Sequence, residues 1–518
     1  NAALALVERE QEWLGAADVA HAFAFTLVCA AVLACISRAA RDAVEDAAKE
    51  RAIAAALAGF AALAVPAFWI HRSSLSHPFD VEPWITLAPF VALAALIYVA
   101  VRRAWRGLAK SAVFAAGFAL AVPYALRPIE SAFGAPSLHA KLPQNVVFIG
   151  IDTLRADATS LYGASLHGRD TTPNLRKLAQ RGLVFDNATS QAPWTLPSFA
   201  SMFTGKYPHE HGAYSLSGRL RPGEVTLAEV LREAGYATSA AVAHTYLDTY
   251  HGLNQGFERF DESNALGHRA ITAPAITDLT LGAIEAANAR PFFAFAHYFD
   301  PHYEYMDHAE SDWSDGYTGW LAAQLDYDNL ERNRHLIEKP ELEFLVDRYE
   351  EEIAFTDREI GRLVEGLAAR KLLESTWIIV VADHGEEFLE RGSFGHTTGM
   401  WQEQIHVPLV IVPPLSGLSA VRALRVVETR DLFGTVLTAL DVDFGASARE
   451  RDLLAGDSTR VHERKAFSIV WLPDAKPEWG KRFQLSALRD GRWKFVRDFT
   501  RDRSTLFDLV ADPKELRD

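Results

Sequence analysis

Four long apolar stretches, residues 19–37, 52–70, 84–101 and 107–126, dominate the start of the chain. Each approaches the ~20 residues that a helix needs to cross a bilayer, and none carries the polar stripe of a surface helix. Pro66, Pro89 and Pro123 lie inside them, which membrane helices tolerate better than soluble ones. Near residue 140 the pattern changes to short apolar runs alternating with helical segments, the rhythm of an α/β domain. Residues 145–151, 292–299, 376–382 and 407–412 read as strands, their continuous apolar character matching burial on both faces. Residues 193–205 read as a short helix. Pro197 suits a first turn, Phe199, Met202 and Phe203 recur at helical spacing, and Gly205 suits the end.

Loop charges orient the apolar part. Arg38, Arg41, Lys49 and Arg51 separate the first two runs, and Arg102, Arg103, Arg106 and Lys110 the last two, whereas the second loop carries only Arg72. The positive-inside rule places the first and third loops in the cytoplasm and the C-terminal part on the opposite side. The expected organisation is a transmembrane bundle at 1–126, a Pro-containing linker at 127–144 and an exported domain at 145–518. The chain starts at Asn1, so a preceding span or signal peptide, and five spans in the intact protein, are further expectations. Cys29 and Cys35 both fall in the first apolar run, which leaves the exported domain without cysteine and without disulfides. A formal net charge of −15 argues against nucleic acid as a partner.

Candidate chemistry gathers at strand ends, where open α/β sheets bind ligands. Asp152 follows the 145–151 run. Asp383-His384-Gly385-Glu386 follows 376–382, Asp300-Pro301-His302 follows 292–299, and Gly395-His396 precedes 407–412. Carboxylates and a neutral imidazole suit a divalent ion. Thr195 falls at or just before a helix N-terminus, where N–H groups and the helix dipole favour an anion. A helix cap is the other reading of that threonine.

Several phrases together resemble the sulfatase group of the alkaline phosphatase superfamily. They are Ile-Asp-Thr-Leu-Arg-Ala-Asp (151–157), Thr-Pro-Asn-Leu (172–175), Thr-Leu-Pro-Ser (195–198), Thr-Gly-Lys-Tyr-Pro-His-Glu-His-Gly (204–212), Asp-Pro-His (300–302) and Ala-Asp-His-Gly-Glu (382–386). The resemblance covers nearly all of 145–518. It implies an α/β fold with a central, mostly parallel sheet flanked by helices, and a small C-terminal sheet from 491–495 and 506–513. It also implies that Asp152, Asp383 and His384 bind one divalent metal ion (Mn, Mg, Ca or Zn), with Thr195 as nucleophile and further ligand. His302 and His396 are then expected to contact the transferred group or protonate the leaving group, and Arg155 to support the site. His209 and His211 are expected to pack or hydrogen-bond rather than act.

The chain departs from the usual pattern at four positions. Thr195 replaces the Cys or Ser that is oxidised to formylglycine, and its Cβ methyl forbids that aldehyde. Phe199 stands where an arginine normally supports the formylglycine, Thr153 where a second Asp is usual, and His406 where an arginine is common. Threonine nucleophiles occur in membrane-anchored phosphoethanolamine transferases and lipoteichoic acid synthases, whose architecture this chain resembles. The expectation is a membrane-anchored, metal-dependent hydrolase or phosphotransferase acting on phosphodiesters, including lipid-linked ones, from the periplasmic or extracellular side of a bacterial inner membrane. A sulfate-ester hydrolase without formylglycine is one alternative. An inactive subunit that meets a membrane-protein partner through the spans is another.

Overall fold

The computed structural model describes residues 144–518, apart from 164, 266, 268–269, 309, 312, 324, 415–419, 446–450, 456–463 and 474–482. The four expected spans, the linker up to 143 and both cysteines lie outside the described residues. Among the described residues no helix is long and apolar enough to cross a membrane.

Among the described residues, ten strands precede the C-terminal part: β1 (Asn145–Ile151), β2 (Leu183–Thr189), β3 (Ala237–Ala241), β4 (Arg259–Asp261), β5 (Phe292–Tyr298), β6 (Thr376–Ala382), β7 (Glu387–Phe388), β8 (Phe394–Gly395), β9 (Leu409–Val412) and β10 (Val421–Glu428). Eight of them form one sheet in the order β10-β2-β9-β6-β1-β5-β3-β4, and β7 pairs with β8 as a small hairpin. The large sheet is mostly parallel, as expected. Only β9 runs antiparallel, to β6 and β2. β1 is central and buried along its whole length, with β5 and β6 parallel on either side. Ile151 pairs with Tyr298 of β5 and Ala382 of β6, so the three carboxyl ends finish level.

Alternation along β1 explains how both faces are covered. Phe148 meets Phe203 at 5.7 Å, which sets one face against the helix α2 (Thr195–Thr204). Ile151 shares a small cavity with Leu175, Ile353 and Ile360, which sets the other face against α1 (Pro173–Ala179) and α5 (Lys339–Ala369). Helices α3 (Leu227–Glu233), α4 (Ala273–Ala286) and α6 (Leu432–Ala439) fill the flanks: α3 and α6 pack on α2, and α4 packs on β3, β5 and α5.

The 31-residue helix α5 organises its side of the sheet through buried carboxylates. Glu350 pairs with Arg169 at 3.0 Å, Glu351 accepts from Ser314 N at 2.9 Å, and Glu352 pairs with His308 at 2.6 Å. The aromatic segment at 302–334 is thereby pinned to the core. Asp357, one turn on, accepts Asn174 N and Leu175 N, both at 2.8 Å, and Asn174 Nδ2 at 3.0 Å, so it caps α1 from another helix. Asp357→Ala leaves those donors unpaired and is expected to cost about 2 to 3 kcal/mol, read from the urea midpoint at fixed metal concentration.

The expected C-terminal sheet is present and antiparallel, in the order β11 (Lys465–Leu472), β12 (Phe483–Asp490), β13 (Trp493–Asp498), β14 (Arg503–Asp508). Ile469 N donates to Gln191 O at 2.9 Å, docking β11 beside the segment that leads into α2. Lys494 of β13 and Glu515 form a fully buried ion pair at 2.6 Å.

Candidate active site

The level ends of β1, β6 and β5 deliver Asp152, Asp383-His384 and 299–302 to one place, and α2 brings Thr195 there. Trp194 is extended, and Thr195 is the first helical residue. Thr397 N donates to Pro193 O at 2.8 Å and Ser198 Oγ to Ala192 O at 2.8 Å, which fixes the approach to the helix. Gly205 ends it with φ of 69°, a left-handed conformation that a glycine takes at little cost. Thr195, Asp152, Asp383 and His384 are all buried.

Asp152, Asp383 and His384 each offer one ligand atom within 4.8 Å of the others. Thr195 Oγ1 lies 3.3 Å from His384 Nε2. His384 Nδ1 is 3.0 Å from Gly385 O, the partner that a ring N–H requires, so Nε2 turns its lone pair inward. It faces Asp383 at 3.4 Å and Asp152 at 3.6 Å. Both oxygens of Asp152 and Oδ2 of Asp383 are buried with no hydrogen-bond partner among the described residues.

Electrostatics point the same way. Burial opposes ionisation of Asp152, but the surrounding His244, His297, His302 and His384 hold its carboxyl well below the usual range. Burial and the neighbouring Asp152 charge push Asp383 well up. Burial, helped by His396, pushes His384 down to about 3, which keeps its ring neutral. Two adjacent buried carboxylates and a neutral imidazole form a donor set that a divalent cation satisfies, and among the described residues no Lys or Arg pairs with them. The residues fit the ion.

His396 and His302 flank this group. The β7–β8 hairpin holds His396, whose Nδ1 is 2.9 Å from Glu386 Oε1 and whose ring lies 4.4 Å from that of His384. Burial works against its charged form, but Glu386 outweighs it and raises the pKa. His302 donates from Nδ1 to Tyr303 O, stacks on Phe299 and meets His396 at 5.0 Å. Arg155 makes its bonds outside the Asp152-Asp383-His384 cluster. Its guanidinium is bound by Asp157 at 2.8 Å, Glu390 at 2.6 Å and Glu386 O at 3.0 Å. It ties the first loop to the loop carrying Glu386 and makes no bond to Thr195 or to the carboxylates of the cluster.

Three of the four departures have structural roles. Thr153 has φ of 50°, and its Oγ1 donates to Pro301 O at 2.9 Å, so it supports the 299–302 loop rather than the ion. Phe199 is buried in an aromatic cluster, 5.4 Å from Phe295 and 5.2 Å from His297. A Cβ on Gly150 would come within 2.6 Å of the Phe199 ring, so the strand makes room for an aromatic here. His406 Nε2 bonds Asp186 O at 2.8 Å. The Thr195 side chain faces the His384 ring. His211 is buried between Ser201 Oγ at 3.1 Å and Ala213 N at 3.1 Å, and His209 stacks on Tyr207.

Three nearby groups were barely or not at all legible in the sequence. Glu386 was legible only as part of the Ala-Asp-His-Gly-Glu phrase. His297 lies inside the apolar run of β5, where it passes for a strand residue. His244 follows β3, whose sequence Ala-Thr-Ser-Ala-Ala gives no apolar signal. Its ring nevertheless reaches within 5.3 Å of His302 and 6.4 Å of His297.

A family model described as Sulfatase matches residues 144–442. Arylsulfatase K of Rattus norvegicus is 23% identical over 422 residues, covering 72% of this chain and 74% of that protein. Choline-sulfatase of Rhizobium meliloti (strain 1021) is 22% identical over 405 residues, covering 66% and 76%. Among solved structures, a phosphonate monoester hydrolase from Silicibacter pomeroyi superposes with a TM-score of 0.59 at 22% identity, covering 72% of this chain and 90% of that one. That likeness concerns the fold. With its level strand ends, its Asp-Asp-His cluster and a family match over more than half its length, this chain belongs to the sulfatase family of hydrolases.

Proposed function

We propose that the domain is a metal-dependent phosphodiesterase or phosphotransferase with Thr195 as nucleophile, its ion held by Asp152, Asp383, His384 and Thr195 itself. The observation that carries this reading is the Thr195 hydroxyl at the N-terminus of α2, 3.3 Å from His384 Nε2 and beside two buried carboxylates with unpartnered oxygens. When bound, a divalent ion supplies Lewis acidity, lowering a hydroxyl pKa and offsetting charge on the transferred group.

The chain's own residues do the rest. The first N–H groups of α2 face developing negative charge. Thr195 reacts as the alkoxide, its proton given up to solvent beforehand; Oγ1 attacks phosphorus, an O–P bond forms, and the bond to the leaving oxygen breaks. His396, kept protonated by Glu386, gives that oxygen its proton. His302, fixed through Nδ1, orients the transferred group. The resulting threonine ester has no second hydroxyl on Cβ, unlike a hydrated aldehyde, and cannot expel its cargo from within. Water or an acceptor alcohol must attack phosphorus and pass its proton to His396; the bond from phosphorus to Thr195 Oγ1 breaks and returns the alkoxide that began the cycle. This chemistry favours transfer and diester cleavage.

The proposal extends to the membrane. The apolar runs before residue 126 and the charges of their loops support an anchor in a bacterial inner membrane, with the domain on the periplasmic or extracellular side and a lipid-linked donor within reach. A membrane-protein partner meeting the anchor is part of the same proposal.

The relatives arylsulfatase K and choline-sulfatase favour a second reading, a sulfate-ester hydrolase using unmodified threonine. One experiment separates the two. Protein stripped with EDTA is assayed on an aryl phosphodiester and an aryl sulfate, before and after Mn²⁺ is returned. Diester turnover is expected to fall to background and recover, with the sulfate the poorer substrate. The reverse order of substrates selects the second reading, and turnover indifferent to EDTA overturns the metal centre.

A further inference from the structure

We propose that His297 is a positioning residue for the metal centre, holding Asp152 so that its carboxylate meets the ion in one orientation. The inference rests on the reading of Asp152 as a ligand. His297 is the penultimate residue of β5, pairs in register with Gly150 of β1 and is fully buried. Its Nε2 lies 3.3 Å from Asp152 Oδ2, the contact through which it holds the carboxylate, and its Nδ1 has no hydrogen-bond partner among the described residues. A buried imidazole left so poorly satisfied is costly and asks for a reason.

The two oxygens of Asp152 divide the surroundings. Oδ1 faces His384 and the candidate ion cluster, while Oδ2 faces His297. His297 itself is not a member of the Asp152-Asp383-His384 cluster. The arrangement is therefore an imidazole behind a ligand carboxylate, a partner that fixes rotation about the ligand's side-chain bonds.

The ring cannot easily leave that position. Phe199 meets it edge-on at 5.2 Å, with His244 at 6.4 Å on another side and Phe295 at 6.1 Å. Phe199 is in turn wedged against Gly150. The residue found in place of an arginine thus has a task here, clamping the histidine. The need is sharpened by Thr153. Its hydroxyl serves Pro301 O, so Asp152 is the single carboxylate that the first motif gives to the ion, and its orientation has no backup.

The test measures ion binding rather than turnover. Chelator-treated wild type, His297→Leu and His297→Gln are titrated with Mn²⁺ by calorimetry, and pulsed EPR of the Mn²⁺ complexes counts coordinated imidazoles. The Leu variant is expected to bind about 10- to 100-fold more weakly. The Gln variant, which keeps a donor, recovers most of that loss. The ion-free Leu variant should melt no lower than wild type, because an unsatisfied polar ring has been removed. The EPR signal of one imidazole, His384, should persist in the Gln variant. Equal Mn²⁺ affinity in wild type and His297→Leu overturns this inference alone. Loss of an imidazole coupling in His297→Gln overturns it too, by making His297 a ligand. A wild type that binds no Mn²⁺ removes the metal centre and the inference together.

Discussion

Thr195→Ala is expected to lower phosphodiester turnover by about 10⁴-fold or more, the scale of removing a nucleophile that works with its partners as a unit. The fold should survive the change. Only the hydroxyl and a methyl leave the first turn of α2, and the aromatic contacts of Phe199 and Phe203 with β1 and β5 remain. Thr195→Ser keeps the oxygen 3.3 Å from His384 and should retain measurable turnover, with more rotational freedom about χ1. Mass spectrometry of wild-type protein quenched during turnover should show the added group on the peptide containing Thr195. Alanine-variant turnover within tenfold of wild type on one preparation sinks the nucleophile assignment.

Lys494→Ala is expected to cost about 3 to 5 kcal/mol of stability, far from the reacting atoms. Burial pushes the Lys494 pKa down while Glu515 opposes that shift, so the charge depends on its partner. Removing the lysine strands a buried carboxylate. Glu515 also accepts from Gln402 N at 2.8 Å, and Lys494 donates to Gln402 Oε1 at 3.3 Å. The helical turn that begins at Gln402 supplies Gln404 O to Gly385 N at 2.8 Å, directly after His384. A loosened C-terminal sheet should therefore weaken Mn²⁺ binding as well as shift the urea midpoint. Replacing both partners with apolar residues of similar size should recover most of the stability. A single-variant loss under about 1 kcal/mol would show that the pair is solvated in practice.

Particular residues explain how far the sequence could be read. Strands β1 and β6 announced themselves because a central strand has no polar face, and Asp152 and Asp383 followed from where those runs stop. Helix α2 was marked by Pro197 and Gly205. The partners of Arg155 were only partly legible, because beside Asp157 they include Glu386 and Glu390, from a loop more than 200 positions away. Proximity in a motif says nothing about where a long side chain points. His244 was hidden by a strand of small and hydroxyl residues whose burial comes from its neighbours rather than its own hydrophobicity. The antiparallel direction of β9 was equally invisible, since an apolar run has no sense until its partners are known. The expected membrane spans fall outside the described residues and rest on their sequence pattern alone.

The level finish of β1, β5 and β6 has a consequence for mechanical tolerance. Each strand advances by about 3.3 Å per residue and turns alternate side chains to opposite faces. A slip of one residue in β6 would carry Asp383 beyond the reach of Asp152 and reverse the direction in which it points. The spacing of the reacting groups is thus gauged by the hydrogen-bond ladder of the sheet, in whole-residue steps. Surface loops can lengthen, shorten or change composition around it without disturbing that gauge.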